Sequence, residues 1–460
     1  MVADRFRTRL VWLVGLALGL RLLVLVPVLL DPTLSQFPDS TSYLAPAQNL
    51  LADHGFSQDL APPFEPDLFR TPVYPFFLAT IWKVTGESLR AIAVVQVMLD
   101  VLTCALLGLL TRRLFGSSAG LVSAFFYAAS LVSIAHVGLI ASETLFVALL
   151  VGLAWLVLGG KSIGLPKALA VGAVWGLLTL CRPIGLVLLP LLVLGVAIRS
   201  RRRLLAPALM TLVGVLSITP WLLRNHEIAG VWTLASVGEY NLLAYNAASV
   251  EAARRGVSHA EARETLLRDV NAQLVTQGRD GIGDRIRAYR ETGRAILLRD
   301  PVESAIVHLR CDLNSLLPAV TDVLQVTGVT EGGKGTLSVL NQHGVSRAID
   351  HYFGDRRELL LPLAPGIVVW FGMLFLSVVG MALAWRDRAW TVLLVVGGSA
   401  LLLLLAPGAP SNPRFAAPIV PGVACFAGLG TVRTWRYLQE RRRAGRAGRL
   451  GPEMESTPHA

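Results

Sequence analysis

Long apolar runs alternate with polar stretches along the chain. Leu10–Leu30 and Leu89–Leu110 each reach the roughly 20 residues that cross hydrocarbon as a helix. Ala119–Leu158 is about twice that length and reads as two helices meeting near Ile140–Ser142. Ala168–Leu180 and Ile184–Ile198 are shorter and are separated by Cys181-Arg182-Pro183. Leu204–Leu223 follows, then a long polar stretch, Asn225–Leu359. Leu360–Ala384, Ala389–Ala406 and Phe415–Val432 close the series. The pattern predicts an all-α polytopic membrane protein with about ten transmembrane helices, roughly 9–12 given how short the broken ones are.

Composition agrees. Of 460 residues, 53% are hydrophobic and 16% charged, against about 25% charged in soluble domains. A net charge of +11 in a soluble chain would suggest nucleic acid. Here the positive residues fall in every second loop, the bias that orients membrane proteins. They are Arg5, Arg7 and Arg9; Arg112 and Arg113; Lys161 and Lys167; Arg199 and Arg201–Arg203; Arg386 and Arg388; and the tail from Arg433. These loops are expected on the cytoplasmic side of the plasma membrane, with both termini inside. Asp31–Ser88 and Asn225–Leu359 are then extracytoplasmic, and no nucleic-acid partner is expected. The N-terminal run lacks a small-x-small cleavage site and is long enough to span, so it reads as a helix rather than a signal peptide.

The chain divides into residues 1–224, a transmembrane catalytic module with its first outer loop at 31–88; 225–359, a small and mostly helical extracytoplasmic domain; 360–433, the C-terminal membrane helices; and 434–460, a basic, disordered cytoplasmic tail. In the outer domain Ser258 reads as an N-cap with Glu261 completing a capping box, and Pro301 opens another helix. Thr327–Thr336 reads as a flexible loop able to close over substrate. Short surface helices are expected in the first loop, with Phe76–Trp82 as an apolar underside.

Cys104, Cys181, Cys311 and Cys425 show neither a disulfide framework nor metal spacing. No phosphate-binding glycine loop or dinucleotide fingerprint is present. No cofactor or metal is expected. The candidate chemistry sits at the outer ends of the apolar runs. Asp39 and Tyr43 lie four residues apart just past the first run, and Arg70 and Tyr74 close the same loop. Glu143 falls at the hinge of the long third run; Arg182, Arg224 and Arg414 fall at later outer ends.

Each of these has a plainer explanation as well. Asp39 could cap a helix, Arg70 could snorkel to lipid phosphate, and Arg182 and Arg224 could anchor helix ends. Arg21, within the first run, could pair with Asp100 or Glu143; Gln96 and Asp100 share a helix face and would hold helices together. Asp31, Asp53, Asp59, Glu65 and Asp67 are rival acids, the stretch Phe64–Arg70 with Glu65 and Asp67 the strongest, while His54 and His136 read as structural.

Charges in and beside a membrane are costly and commonly functional. Arginine binds phosphate oxygens as a fork, and a carboxylate can take a proton. A site on the outer face has no nucleotide supply, so an activated donor there must be lipid-borne. A lipid-linked phosphosugar satisfies this, its phosphate departing under cationic stabilisation.

The segments Asp39–Leu51, Phe69–Ala79, Val94–Gly116, Ala141–Phe146, Leu180–Pro190, Pro220–Asn225 and Asn412–Gly430, in that order, resemble the C-type-fold glycosyltransferases that use polyprenyl-phosphate sugars. The resemblance is to the branch of the dolichyl-phosphate-mannose–protein mannosyltransferases and the lipid A aminoarabinose transferase. It implies inverting sugar transfer to an extracytoplasmic acceptor (protein, glycan or lipid), with Asp39 as the acid-base residue. It further implies Arg70, Arg182, Arg224 and Arg414 on the donor phosphate, and Tyr43, Tyr74 and Glu143 orienting or binding sugar. Where the family often carries adjacent Asp and Glu, Asp39 is followed here by Ser40. The alternative reading is a transporter or flippase of lipid-linked saccharides, for which the sequence shows no related halves.

Overall fold

The computed structural model describes residues 2–279, 281–329, 346–347, 350–351, 357–410 and 412–447. Every regular element among them is helical. The first half contains α1 (Val2–Leu30), the loop helices α2 (Thr41–Leu51) and α3 (Val73–Thr85), α4 (Leu89–Phe115), α5 (Ser117–Ala128), α6 (Leu131–Val137), α7 (Glu143–Leu158), α8 (Leu165–Cys181), α9 (Leu189–Arg199) and α10 (Leu205–Ala229). The polar segment folds as α11 (Val237–Asn241), a π-helical turn (Leu242–Ala247), α12 (Ala248–Arg255), α13 (His259–Thr276), α14 (Ile282–Arg299), α15 (Pro301–Asp312) and α16 (Val320–Val326). The last helices are α17 (Leu360–Arg386), α18 (Trp390–Leu405) and α19 (Val420–Ala447).

Among the described residues, five helices are long and apolar enough to cross a bilayer: Arg5–Leu30, Leu89–Phe115, Leu205–Ala229, Leu361–Arg386 and Pro413–Ala444. The pair α5 and α6, bent by 54°, makes a sixth if it is one broken span. Glu143–Leu158, Leu165–Cys181, Pro183–Arg199 and Trp390–Leu405 are apolar but shorter. The chain is thus a multi-pass membrane protein, and its ten apolar segments fall where the pattern placed them. The long third run differs in one respect: besides the break before Glu143 there is another at Ala129–Ser130, where Ser130 caps α6 by accepting from the Ser133 amide.

Local chemistry explains the ends that matter. Ser88 caps α4 through the Ala91 amide, and Gly116, at φ +95°, ends it where a side chain would be strained. α8 stops at Cys181 because Arg182 precedes a proline, which disfavours helical backbone; Arg182 is extended at φ −148°, ψ 128°. Asn412 precedes Pro413 and is extended too, at φ −149°, ψ 175°, and it leads into the 3-10 helix Pro413–Ile419. Two arginines therefore sit at proline-made breaks.

In the polar segment Ser258 caps α13 by accepting from the Glu261 amide at 3.2 Å, and Pro301 begins α15 with Asp300 as its cap. Of the predicted flexible loop only Thr327–Val329 is described; 330–336 lie outside the described residues. α19 continues helically to Ala447, well into the stretch expected to be a disordered tail, while 448–460 lie outside the described residues. Trp82 was expected at a membrane surface; it is 3% exposed and packs in the main core with Tyr43, Tyr74 and Leu78.

Candidate active site

Asp39 is held by a stitched turn. The Phe37 amide donates to Ser40 Oγ, and that hydroxyl donates to the Ile140 carbonyl, each at 2.8 Å. The Ile140 amide donates to the Ser35 carbonyl at 2.8 Å. The first loop is thereby fastened to the chain break just before Glu143. Asp39 does not cap α2 with its side chain; its carbonyl accepts from Ser42 Oγ at 2.6 Å, leaving the carboxylate to face arginines.

Those arginines come from far along the chain. Arg70 Nη2 lies 2.9 Å from Asp39 Oδ1, and Arg414 Nη2 lies 2.7 Å from Asp39 Oδ2. Arg414 Nε reaches Glu143 Oε1 at 3.0 Å, and Arg182 Nη1 reaches the same oxygen at 2.5 Å. Five charged groups form one chain, Arg70–Asp39–Arg414–Glu143–Arg182, from the first loop and three separate later regions of sequence. Its formal charge is three positive less two negative, or +1. Among the described residues, Arg414 Nη1 and Glu143 Oε2 are buried without a hydrogen-bond partner. A closed structural ion pair would satisfy such atoms.

Aromatic rings support the guanidinium groups. Arg70 stands 4.4 Å from the Tyr43 ring centroid and 4.9 Å from Phe69; Arg414 stands 4.9 Å from Phe37; Arg182 stands 5.8 Å from Phe415. Arg70 Nε also donates to Ser42 Oγ at 2.8 Å. Ser40 and Ser42 are positioning residues that sequence reasoning did not single out. The hydroxyl run after Asp39 was their only signal.

Burial pushes the Asp39 carboxyl up, but Arg414 and Arg70 pull it further down, so it sits below the usual aspartate range. Asp67, in the strongest rival stretch, moves the other way: burial raises it, against hydrogen bonds from the Phe69 and Arg70 amides. Its carboxylate turns the chain at Arg70, accepting those amides at 2.8 and 3.4 Å. Asp59 likewise accepts the Glu65 amide at 2.7 Å, and Asp31 caps the turn at Thr33.

Two expected participants, Arg224 and Tyr74, stand elsewhere, and a third, Tyr43, lies beneath the site. Arg224 is outside the ion-pair chain; it donates to the Asp67 carbonyl at 3.0 Å and the Phe56 carbonyl at 3.3 Å, over the Trp221 ring at 4.5 Å. It clamps the first loop. Tyr74 is fully buried, donates to Gln96 Oε1 at 2.8 Å, and meets Tyr43 edge-on at 5.0 Å. Neither face of that ring is available to a sugar. Tyr43 is 7% exposed, under Arg70, with its hydroxyl 3.3 Å from Ser142 Oγ.

Arg21 does pair with Asp100, at 2.8 Å, and Gln96 does bridge helices, donating to the Val137 and Leu139 carbonyls at 3.2 and 2.8 Å. His136 holds the Val132 carbonyl and lies 3.3 Å from Asp322 of α16. Beginning one residue past Arg182, a groove of about 440 Å³ runs between the membrane helices and the polar segment, with Pro183, Leu186, Leu222, Trp232, Glu239 and Arg290 among its walls.

The two ends of the bundle are segregated. Arg112 stacks on Phe6 at 4.2 Å, the Ile163 amide donates to the Arg199 carbonyl at 3.0 Å, and Arg433 pairs with Asp387 at 2.6 Å. The basic loops thus meet one another, and the acid–arginine chain forms from the opposite helix ends.

Part of the chain and its fold resemble known proteins. Residues 69–223 match the family model "Dolichyl-phosphate-mannose-protein mannosyltransferase". No curated protein matches the chain. The fold is similar to that of the oligosaccharyltransferase AglB of Archaeoglobus fulgidus in complex with an inhibitory peptide and a dolichol-phosphate. That match has 13% identity and a TM-score of 0.50, over 97% of this chain and 53% of the other. The same oligosaccharyltransferase tethered to an acceptor peptide gives 15% identity and a TM-score of 0.50, over 97% of this chain and 52% of that one. The chain spans about half the length of these enzymes. ArnT of Cupriavidus metallidurans bound to undecaprenyl phosphate matches over 91% of this chain and 76% of its own, at 16% identity and a TM-score of 0.41. Across residues 69–223 the chain is thus similar to the dolichyl-phosphate-mannose-protein mannosyltransferase family.

Proposed function

We propose that this protein is a membrane glycosyltransferase that moves a sugar from a polyprenyl-phosphate-linked donor to an extracytoplasmic acceptor, with inversion at the anomeric carbon. The observation that carries this is the ion-pair chain Arg70–Asp39–Arg414–Glu143–Arg182, with its surplus positive charge and unpartnered buried atoms. The family relationship supports the donor class. In this reading the chain crosses the plasma membrane ten times, both termini are cytoplasmic, and the acid–arginine end faces outward with the polar segment 225–359 above it.

Charge arithmetic suits the chemistry. A sugar–phosphate–polyprenol diester carries one negative charge, matching the site's +1. The acceptor hydroxyl gives its proton to Asp39 as its oxygen bonds to the anomeric carbon. The bond from that carbon to the phosphate oxygen breaks, and the electron pair leaves with polyprenyl phosphate. The phosphate gains a second negative charge while Asp39 becomes neutral, so the site rises to +2 in step. Arg414 and Arg182 take the new charge where it develops, which is how fixed donors lower a barrier. Arg70 stays on the loop, steering Asp39.

A carboxylate held by two arginines is a weak base in the empty enzyme. Donor phosphate competes for the same guanidinium groups and restores the basicity of Asp39, so the base is armed only when donor is bound. Glu143 keeps Arg182 and Arg414 apart and supplies the second carboxylate that Ser40 does not. Arg224 fixes the loop rather than the phosphate, and the groove beside Arg182 gives the isoprenoid chain an apolar wall.

Purified protein in detergent, given a radiolabelled polyprenyl-phosphate sugar and envelope acceptors, should form a labelled glycoside. A transporter would instead move label across sealed vesicles and form none. Label transport without glycoside would overturn the proposal.

A further inference from the structure

Seven residues, Ala406–Asn412, join α18 to the 3-10 helix that carries Arg414. Ala406 still donates its amide to the Leu402 carbonyl of α18 at 3.0 Å, but the turn after it is gripped by the polar segment. The Gly408 amide donates to Asp312 Oδ1 at 2.9 Å, and the Ala409 amide donates to Asn246 Oδ1 at 3.0 Å. His308 Nε2 meets the Leu405 carbonyl at 2.6 Å and lies 3.3 Å from Asp312. Asn246, His308 and Asp312 all belong to the polar segment, from the π-helical turn and α15.

The fit at Gly408 is close. It has φ +66°, and a Cβ there would stand 2.3 Å from Asn246 Oδ1 and 2.5 Å from His308 Nδ1. Asp312 is 3% exposed. From this clamp the chain runs to Asn412, whose side chain accepts the Arg414 amide at 2.9 Å, and so to the guanidinium bridging Asp39 and Glu143. Arg414 Nη1 has no hydrogen-bond partner among the described residues, so its use depends on where the arginine is held.

We propose that Asn246, His308 and Asp312 are positioning residues for Arg414: the polar domain sets the registry of the phosphate-binding arginine by gripping the turn that precedes it. The inference rests on the proposed function for its kinetic consequence, though not for its geometric one. The domain is then part of the catalytic machinery, and anything that moves α15 relative to the membrane helices moves Arg414.

The test uses the full-length protein in detergent with two readouts. The first is arginine-selective modification by a dicarbonyl reagent, read by mass spectrometry at Arg414 and at Arg182. Arg182 is the internal control because its break is tied through Thr71 to the Cys181 carbonyl. In Asn246→Ala and His308→Ala, labelling of Arg414 should rise several-fold with Arg182 unchanged, and His308→Gln, which can still donate to Leu405, should restore protection.

The second readout is transfer. kcat/KM for the polyprenyl-phosphate donor should fall about a hundredfold in the alanine variants, the loss expected from displacing a catalytic group by about 1 Å. Unchanged Arg414 labelling in folded variants overturns the proposal. Equal increases at Arg182 also overturn it, because they show general loosening. If no transferase activity exists at all, the labelling result still decides the clamp and the proposed function alone fails. Asp312→Asn serves if an alanine variant fails to fold, since it keeps an acceptor for the Gly408 amide.

Discussion

Two of the ion-pair systems among the described residues, one in the membrane helices and one at their ends, are built to opposite purposes. In the membrane interior Arg21 Nε pairs with Asp100 Oδ2 at 2.8 Å, while Tyr127 donates to Asp100 Oδ1 at 2.6 Å. Arg21 also donates to the Tyr127 and Ala128 carbonyls. One acid meets one base, and its oxygens and the guanidinium are committed. At the helix ends three arginines meet two acids, the charge does not cancel, and buried donor and acceptor atoms are left open. Both systems are expensive in a membrane. A buried charge therefore does not mark a site; an incompletely answered one does. The first system fastens α1 to α4 and α5; the second, in the proposed function, would receive the donor's phosphate.

The sharpest way to break the comparison is to disable each system and see what fails. Asp39→Asn removes the base but keeps the side chain's shape. Transfer should fall by at least about 10²–10⁴-fold, the usual contribution of a positioned general base, while the protein stays inserted and monodisperse. Full activity in that variant would remove Asp39 from the mechanism.

Arg21→Ala should do the reverse. Leaving Asp100 buried without its partner should cost about 3–5 kcal/mol of stability, read as a lower unfolding temperature in detergent. Arg21→Met with Asp100→Leu should recover most of the loss, and the recovered protein should transfer sugar at the wild-type rate. A double variant that is stable but inactive would mean the interior pair shares in the chemistry.

Glu143→Gln tests the surplus-charge argument more finely. The empty site would rise from +1 to +2, so donor should bind more tightly and polyprenyl phosphate should leave more slowly. KM for donor and kcat should fall together, each roughly tenfold, or about 1.4 kcal/mol. A raised KM would show that Glu143 binds sugar rather than spacing the arginines.

How much of this was readable beforehand follows from what sequence encodes locally. Apolar runs announce helices, so the apolar helical segments and the hinge at Glu143 were legible, and Pro183 announced a break. Loop lengths and Lys/Arg bias put Asp39, Arg70, Glu143, Arg182 and Arg414 at one end of the bundle. Pairing was not legible, because Arg414 and Asp39 are joined across nearly the whole chain by packing that no local pattern states. Arg224 illustrates the limit: its placement at a helix end resembled that of Arg182, yet the Asp67 and Phe56 carbonyls claim it. Tyr74 was misjudged for the same reason, its partner Gln96 being on another helix. The break at Ala129–Ser130 has no proline or glycine to announce it, and Ser130 makes its cap only once the chain has turned.

The smallest effect is a pH dependence of the second system. Arg414 and Arg70 hold the Asp39 carboxyl below its ordinary value despite burial, so the empty enzyme keeps its base ionised to more acidic pH than a free aspartate would. The active form is the ionised one, so activity is lost as pH falls through the pKa. The acid limb of kcat/KM, which reports the free enzyme, should therefore lie below the ordinary aspartate value. Bound donor phosphate draws the arginines away and adds negative charge nearby, both of which favour the protonated acid and raise that pKa. The acid limb of kcat, which reports the donor complex, should stand at higher pH than that of kcat/KM. Coincident limbs for kcat and kcat/KM would mean the phosphate never competes with Asp39 for its arginines, and the arming of the base by donor would have to be given up.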